Sequence, residues 1–350
     1  MNFFDKYSWQ FQLTVACIVA LLGLTACISE KDSNSTEQEN RELGVHRRFE
    51  FRYQVLMPTM PENATTYRVW IPLPAETEEQ QVHNLKIVSP VRYEQRTEST
   101  YGNHYAYIDL TPGSYPWPLS VTLGFEVTRK ENYVALEDRP YSAKTDQNLG
   151  EDMKKFLQPN HLVPIDGLIG KLSQTQTAGA ENTLDKARLI YDYVVSTMSY
   201  DKSGEGWGRG DAIFACTDKR GNCTDFHALL IGMMRAAGIP AKFEIGFPLP
   251  SKERRGNIGG YHCWAQFYLQ GLGWIPIDAS EAWKDPSRKN YFFGAHDEHR
   301  VHFTTGRDLI LDEDQKTKPL NYFIYPLLEI DGKSVELLEK RFWFRDLTDN

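Results

Sequence analysis

The chain has no apolar run of the roughly 20 residues that a membrane-spanning helix needs. Residues 13–28, LTVACIVALLGLTACI, come nearest and fall short. It also has no excess of positive charge. The formal net charge is −8, which argues against the basic face that phosphate binding requires and so against nucleic acid as a partner. Cysteine is scarce, at five residues, with no C-x-x-C pair and no H-x-x-x-H pair. The usual spacings of a zinc site are therefore missing. Internal repeats are absent too. What is present is core material: 41% of residues are hydrophobic and 13% aromatic, enough for a folded chain of one large or two ordinary domains.

The apolar run at 13–28 has the length of a signal-peptide core followed by small residues. Leu24-Thr25-Ala26-Cys27 is similar to the lipobox of bacterial lipoproteins. That resemblance implies a signal peptide over 1–26, lipid on Cys27, and an exported protein held on a membrane by its lipid. A short anchor helix or a plain secretory signal are the alternatives, and Asp5 offsetting Lys6 speaks for them. Residue 28 is isoleucine rather than the aspartate that retains lipoproteins at the inner membrane, which points to the outer membrane if the source is Gram-negative. The polar stretch 27–43 reads as a flexible tether. Beyond it stand Cys216, Cys223 and Cys263, an odd number of thiols in an oxidising compartment. At least one has no intramolecular partner, and catalysis is one reason to keep it.

From 44 to 137 the pattern is that of strands. Phe49, Phe51, Tyr53 and Val55 alternate with polar residues, as do Leu119, Val121, Leu123, Phe125 and Val127. This predicts an antiparallel β-sandwich domain. The region 138–315 reads as an α+β domain. One helix carries Leu184, Ala187, Ile190, Tyr191, Val194 and Met198, capped by Asn182 or Thr183. A second begins after Gly221 and ends at Gly238-Ile239-Pro240. Strands follow at 243–247, 261–269 and 274–278. Residues 316–350 are expected to supply C-terminal strands that pack on this domain.

The chemistry concentrates in three places. Asn222 can cap the second helix and Asp225 can cap back, which puts Cys223 in the first helical turn, where backbone N–H groups and the helix dipole favour a thiolate. Gly221 beside it would let a substrate approach closely. On the strand 261–269 the even positions share one face, so His262 points away from the apolar set and can reach Cys223. An antiparallel hairpin centred near Gln270 would bring Asp278 to His262 on that same face. Cys263 should then face the core, away from the chemistry.

The blocks 221–226 (GNCTDF), 235–241 (RAAGIPA), 261–264 (YHCW) and 273–278 (GWIPID) resemble the core of the transglutaminase-like superfamily. The resemblance implies a papain-like fold behind the β-sandwich domain and a Cys223–His262–Asp278 catalytic triad. It implies acyl transfer at amide bonds through an acyl-enzyme, resolved by water or by an amine, with no cofactor and no metal. The partner would be a peptide or protein amide, or a cell-envelope polymer. The alternative is a non-catalytic envelope lipoprotein that keeps the fold. The Cys223 N–H is the natural first oxyanion donor, with Trp207 and Tyr200 as further candidates. A zinc site drawing on Cys223, His227, Cys216, His262 and Cys263 is disfavoured, because His262 and Cys263 point opposite ways. His227 reads as packing or as a supporting hydrogen bond, and His296, His299 and His302 as surface residues. The loop 248–260 reads equally as a mobile lid or a solvated connection.

Overall fold

Strict alternation of inward and outward side chains makes the first half of the chain a series of strands. The computed structural model describes residues 45–110, 113, 115, 117–136, 150–336 and 338–347. Its first strands are β1 (His46–Met57), β2 (Tyr67–Pro72), β3 (Gln80–Val88), β4 (Glu94–Thr97), β5 (His104–Leu110), β6 (Leu119–Lys130) and the short β7 (Asn132–Tyr133). In β1 the side chains of Phe49, Phe51, Tyr53, Val55 and Met57 are buried, and in β6 those of Leu119 through Val127 at every second position. The lipidation candidate Cys27 lies outside the described residues, as does the expected domain boundary at 137/138. Among the described residues no helix is long and apolar enough to cross a membrane.

The second half mixes helices and strands. After a single helical turn at Glu151–Lys154, the helices in chain order are α1 (Gly167–Gln176), α2 (Thr183–Thr197), α3 (Ala212–Asp218), α4 (Cys223–Ala236) and α5 (Ala279–Lys284). The strands are β8 (Ser199–Tyr200), β9 (Arg220–Gly221), β10 (Ala241–Pro248), β11 (Arg255–Asn257), β12 (His262–Leu269), β13 (Gly273–Ile277), β14 (Ala295–His296), β15 (Arg300–Thr305), β16 (Leu327–Ile330), β17 (Lys333–Ser334) and β18 (Glu339–Asp346). Asn182, not Thr183, caps α2, by accepting from the Asp185 N–H at 2.9 Å.

Two five-stranded sheets, ordered β11-β18-β1-β6-β3 and β17-β16-β2-β5-β4, share a hydrophobic core. The C-terminal strands join these sheets, where β18 borders both β1 and β11 of the expected α+β domain. β16 pairs with β2, while β18 runs between β1 and β11. The physical reason is the edge. β1 and β2 would otherwise expose unpaired backbone groups, and β18 and β16 satisfy them. The loop 248–260 is correspondingly fixed. Its residues Arg255–Asn257 pair with β18, and the buried Arg47 side chain donates to Pro250 O at 3.0 Å and Glu253 O at 2.7 Å while it pairs with Asp346 at 2.8 Å.

The site rests on a third sheet, β13-β12-β10-β15, and on α4. Every residue of α4 from Cys223 to Arg235 is buried. A helix buried all round its axis sits at the centre of a fold, and α4 packs on β12 while α1, α2 and α3 cover it from other sides. Gly238 adopts φ +80° and ends it, the conformation that favours glycine. Residues from Arg47 onward form one compact unit. Aromatic side chains carry its core across the sheets: Phe51 of β1 meets Phe247 of β10 and Phe303 of β15, at ring separations of 5.5 and 5.9 Å.

One glycine fixes the third sheet. At Gly246 a Cβ would come within 1.8 Å of the Val301 carbonyl oxygen, at the irregular step of the β10–β15 ladder. The obstacle is backbone, so it cannot rotate away. Gly246→Ala is expected to lower stability by about 3 kcal/mol, at the upper end of overpacking costs. Urea denaturation checks this; an unchanged midpoint would contradict the packing.

Candidate active site

The helix start is built by reciprocal capping. Asn222 Oδ1 accepts from the Thr224 N–H at 2.9 Å, and the Asp225 carboxylate accepts from the Asn222 N–H at 3.0 Å. Asp225 also accepts from the N–H groups of Gly208 (2.6 Å) and Gly210 (2.9 Å), and so ties the glycine-rich loop to the helix. This corrects the reading of Gly221. Its φ is +147°, and a Cβ there would meet Asp225 Oδ2 at 2.3 Å. The missing side chain makes room for the cap rather than for a substrate. Cys223 follows as the first helical residue, 2% exposed, and its own N–H has no acceptor within the helix.

The β12–β13 hairpin brings His262 and Asp278 together, though not by the register expected. Leu269 faces Gly273 and Ala265 faces Ile277, so the hairpin turns about Gly271 and not Gln270. Asp278 would thus fall opposite Trp264 rather than opposite His262. The strand ends at Ile277, Asp278 caps α5, and its carboxylate reaches the histidine diagonally along the same face. The contact is short: His262 Nε2 lies 2.8 Å from Asp278 Oδ2. That leaves Nδ1 of the ring for the Cys223 thiol, whose interaction also favours the imidazolium.

Asp278 is wholly buried and heavily supported. Its Oδ1 accepts from Ser280 Oγ at 3.1 Å and from the Glu281 N–H at 3.0 Å, and Arg300 Nη1 donates to Oδ2 at 3.3 Å. Burial alone would raise this carboxyl. The charge and hydrogen bond of His262, with the charge of Arg300, hold it well below the carboxylate range. Burial likewise works against a His262 cation, but Asp278 and the bond to Cys223 push the imidazole up to about 10. The Cys223 thiol is held well below its ordinary value. A hydrogen bond from the Cys263 thiol contributes most, burial opposes it, and the bond and charge of His262 add to it. The favoured state is a thiolate–imidazolium pair.

Sequence reasoning missed parts of this. Cys263 does face the helix side of β12, but α4 begins there, so its thiol lies 3.7 Å from His227 Nδ1 and bonds Cys223. Its burial and the neighbouring thiolate push it well up, which keeps it a neutral donor. Cys216, Cys223 and Cys263 are all free thiols. His227 is buried, with its Nδ1 2.8 Å from the Cys223 carbonyl and its Nε2 accepting from the Ala279 N–H at 3.3 Å. These partners fix the neutral tautomer protonated at Nδ1, and burial lowers its basicity. His296 and His302, expected at the surface, are buried on either side of Trp264, each ring 5.9 Å from the indole. Nothing in the local sequence marks Arg300 as the partner of Asp278.

The two further oxyanion candidates fare differently. The Trp207 indole N–H donates to Gly204 O at 3.1 Å and is engaged within its own loop. Tyr200 pairs with Gly221 in the short β8–β9 ladder, which brings it beside the nucleophile. Burial raises its phenol, and the charge of Cys223 raises it further.

The depressed thiol has a direct readout. A thiolate is present above its pKa, so a lowered pKa extends reactivity downward in pH. Cys223 should alkylate with iodoacetamide at neutral and mildly acidic pH, far below the inflection near 8.5 of a free thiol. Cys263→Ala and His262→Asn should each move the inflection upward. A native profile with one inflection near the free-thiol value would contradict the ion pair.

Comparison with known proteins agrees with this geometry. The model of the Transglutaminase-like superfamily matches residues 170–279. An uncharacterized protein of Haemophilus influenzae is 28% identical over 352 residues, covering 90% of this chain and 94% of that protein. The uncharacterized protein YebA of Bacillus subtilis is 24% identical over 126 residues, 32% of this chain and 17% of that one. Among solved structures, a candidate cysteine protease from Cytophaga hutchinsonii superposes with a TM-score of 0.61 at 17% identity, covering 88% of this chain and 93% of that one. That likeness is one of fold. Residues 170–279, which include Cys223, His262 and Asp278, are the part of the chain that matches the transglutaminase-like superfamily.

Proposed function

We propose that the protein is an exported, cysteine-dependent acyl-transfer enzyme that cleaves amide bonds in peptides or in an envelope peptide–sugar polymer. The observation that carries this is the buried 2.8 Å contact of His262 with Asp278 beside a cysteine at a helix N-terminus. In the proposed reaction the Cys223 thiolate attacks the amide carbonyl, and the developing oxyanion is met by the Cys223 N–H. His262, protonated at the outset, gives its proton to the leaving amine as the C–N bond breaks, and a thioester remains. Water then attacks the thioester while His262 takes a proton, and the acid and the thiolate are released. An amine could replace water in this second step, which would make the enzyme a transglutaminase. Water is the default acceptor, so hydrolysis is the reading adopted. Asp278 keeps the imidazole oriented and stabilises its cation.

The test is labelling with a peptide-based thiol-reactive electrophile, followed by single-turnover kinetics on a peptide amide. Native protein should label at Cys223 and form a thioester. Cys223→Ala should do neither. Asp278→Asn should remain folded by circular dichroism and acylate about 10⁴-fold more slowly, as when other triads lose their orienting carboxylate. Cys223 that stays inert to a panel of amide electrophiles would favour a binding lipoprotein instead. An unchanged rate in Asp278→Asn would reduce Asp278 to a helix cap.

The proposed location is a membrane, reached through lipid on Cys27, and the outer membrane if the source is Gram-negative. The lipobox-like sequence supports this. Native protein should fractionate with membranes and accumulate unprocessed under globomycin, and Cys27→Ala should lose the membrane fraction. A soluble mature form from the native sequence would refute the anchor and leave the chemistry untouched.

A further inference from the structure

On the face of the third sheet opposite α4 lies a cavity of about 510 Å³ whose lining is unlike the rest of the core. Arg129, near the end of β6, is one of its walls and is only 3% exposed. Among the described residues its buried Nε has no hydrogen-bond partner and its guanidinium makes no ion pair. A buried guanidinium without a partner is costly. Burial, with the nearby charge of Arg300, pushes it down to about 10.

Among the described residues the carboxylates nearest Arg129, those of Glu79, Glu244 and Asp297, make no ion pair with it. Glu244 is held by Lys242 Nζ at 2.9 Å, Trp264 Nε1 at 2.7 Å and Gln266 Nε2 at 2.8 Å. Glu79 accepts from Thr77 Oγ1 at 3.1 Å. The vacant need is a planar acceptor for a rigid fork of donors, which describes a carboxylate. The lining also carries Glu78 and Glu79, so its formal charge, Arg129 and Lys242 against Glu78, Glu79 and Glu244, is one negative. A multiply charged anion would meet repulsion there. A ligand with a carboxylate and an ammonium would meet neither problem. Val134 and Leu272 add apolar surface to the lining.

We propose that this cavity is a binding site for a small zwitterion, a free amino acid or a dipeptide, with its carboxylate on Arg129 and its ammonium toward Glu78 and Glu79. The site lies across β12 from Cys223. The even-numbered side chains Trp264 and Gln266 face Glu244 beside the cavity, whereas Cys263 faces α4. None of Cys223, His262 and Asp278 lines the cavity, so zwitterion binding can be tested apart from the amide chemistry.

The experiment is calorimetric titration and thermal denaturation of the mature protein with L-alanine and L-alanyl-L-alanine, at constant ionic strength. Acetate, methylamine and sulfate serve as single-charge controls. One of the two zwitterions should bind saturably at millimolar concentration or below and raise Tm with its concentration. Acetate, methylamine and sulfate should each bind at least about tenfold more weakly. Arg129→Met should abolish the Tm response. Should that variant fail to fold, Glu78→Gln/Glu79→Gln at the cavity mouth decides the question, because it should remove the preference for zwitterion over acetate. Absence of saturable binding of either zwitterion, binding undiminished in folded Arg129→Met, sulfate or acetate binding as tightly as the zwitterions, or a preference that survives in the double variant would each overturn the proposal.

Discussion

A carboxylate sealed from water must find all its stabilisation inside the protein, and much of this fold converges on one such group. Asp278 draws on His262 from β12, Arg300 from β15, and Ser280 and the Glu281 N–H from α5. His227 of α4 lies 3.6 Å from its other oxygen. An uncompensated charge in such a place costs several kcal/mol, so the relative positions of these elements are not free to drift. Arg300 is itself buried, lies over the Trp264 ring at 4.9 Å, and is shared with Asp297 at 3.1 Å. The carboxylate that orients His262 therefore also ties β15 to the hairpin and to the central helix.

The fold elements were legible wherever a periodic pattern met one buried face. The alternation in β1 and β6 predicts their buried residues one by one, and Asn222 with Asp225 announces the start of α4 through capping chemistry. The hairpin was readable as a hairpin, but its register was not. Gln270-Gly271-Leu272-Gly273 allows more than one turn, and shifting the centre by one residue moves every partner by two. The association of His262 with Asp278 survived because a carboxylate at a strand end can reach diagonally.

What the sequence hid was long-range partnership. Arg300 sits 22 residues beyond Asp278 in a stretch that reads as polar surface, because a histidine- and charge-rich segment looks the same whether it faces water or a buried counter-charge. His296 and His302 were misread for that reason. Cys263 was assigned to the correct face and to the wrong role. Alternation gives the direction of a side chain and not what another element has brought to meet it. The C-terminal strands, too, carry no local sign that their partners are β1 and β2.

That last pairing has a kinetic meaning. Arg47 and Asp346 are 299 positions apart, and Phe51 faces Phe344 along the same ladder. At equilibrium a loop of that length is only modestly dearer to close than a short one, since the entropy grows with its logarithm. The search is another matter, because folding slows as contacts become more distant along the chain. Helix α4 and the β12–β13 hairpin are built from near neighbours and can form early, whereas the β1–β18 seam must wait for two remote segments to meet. The residues that hold the imidazole and the residues that close the sandwich thus belong to opposite ends of the folding timetable.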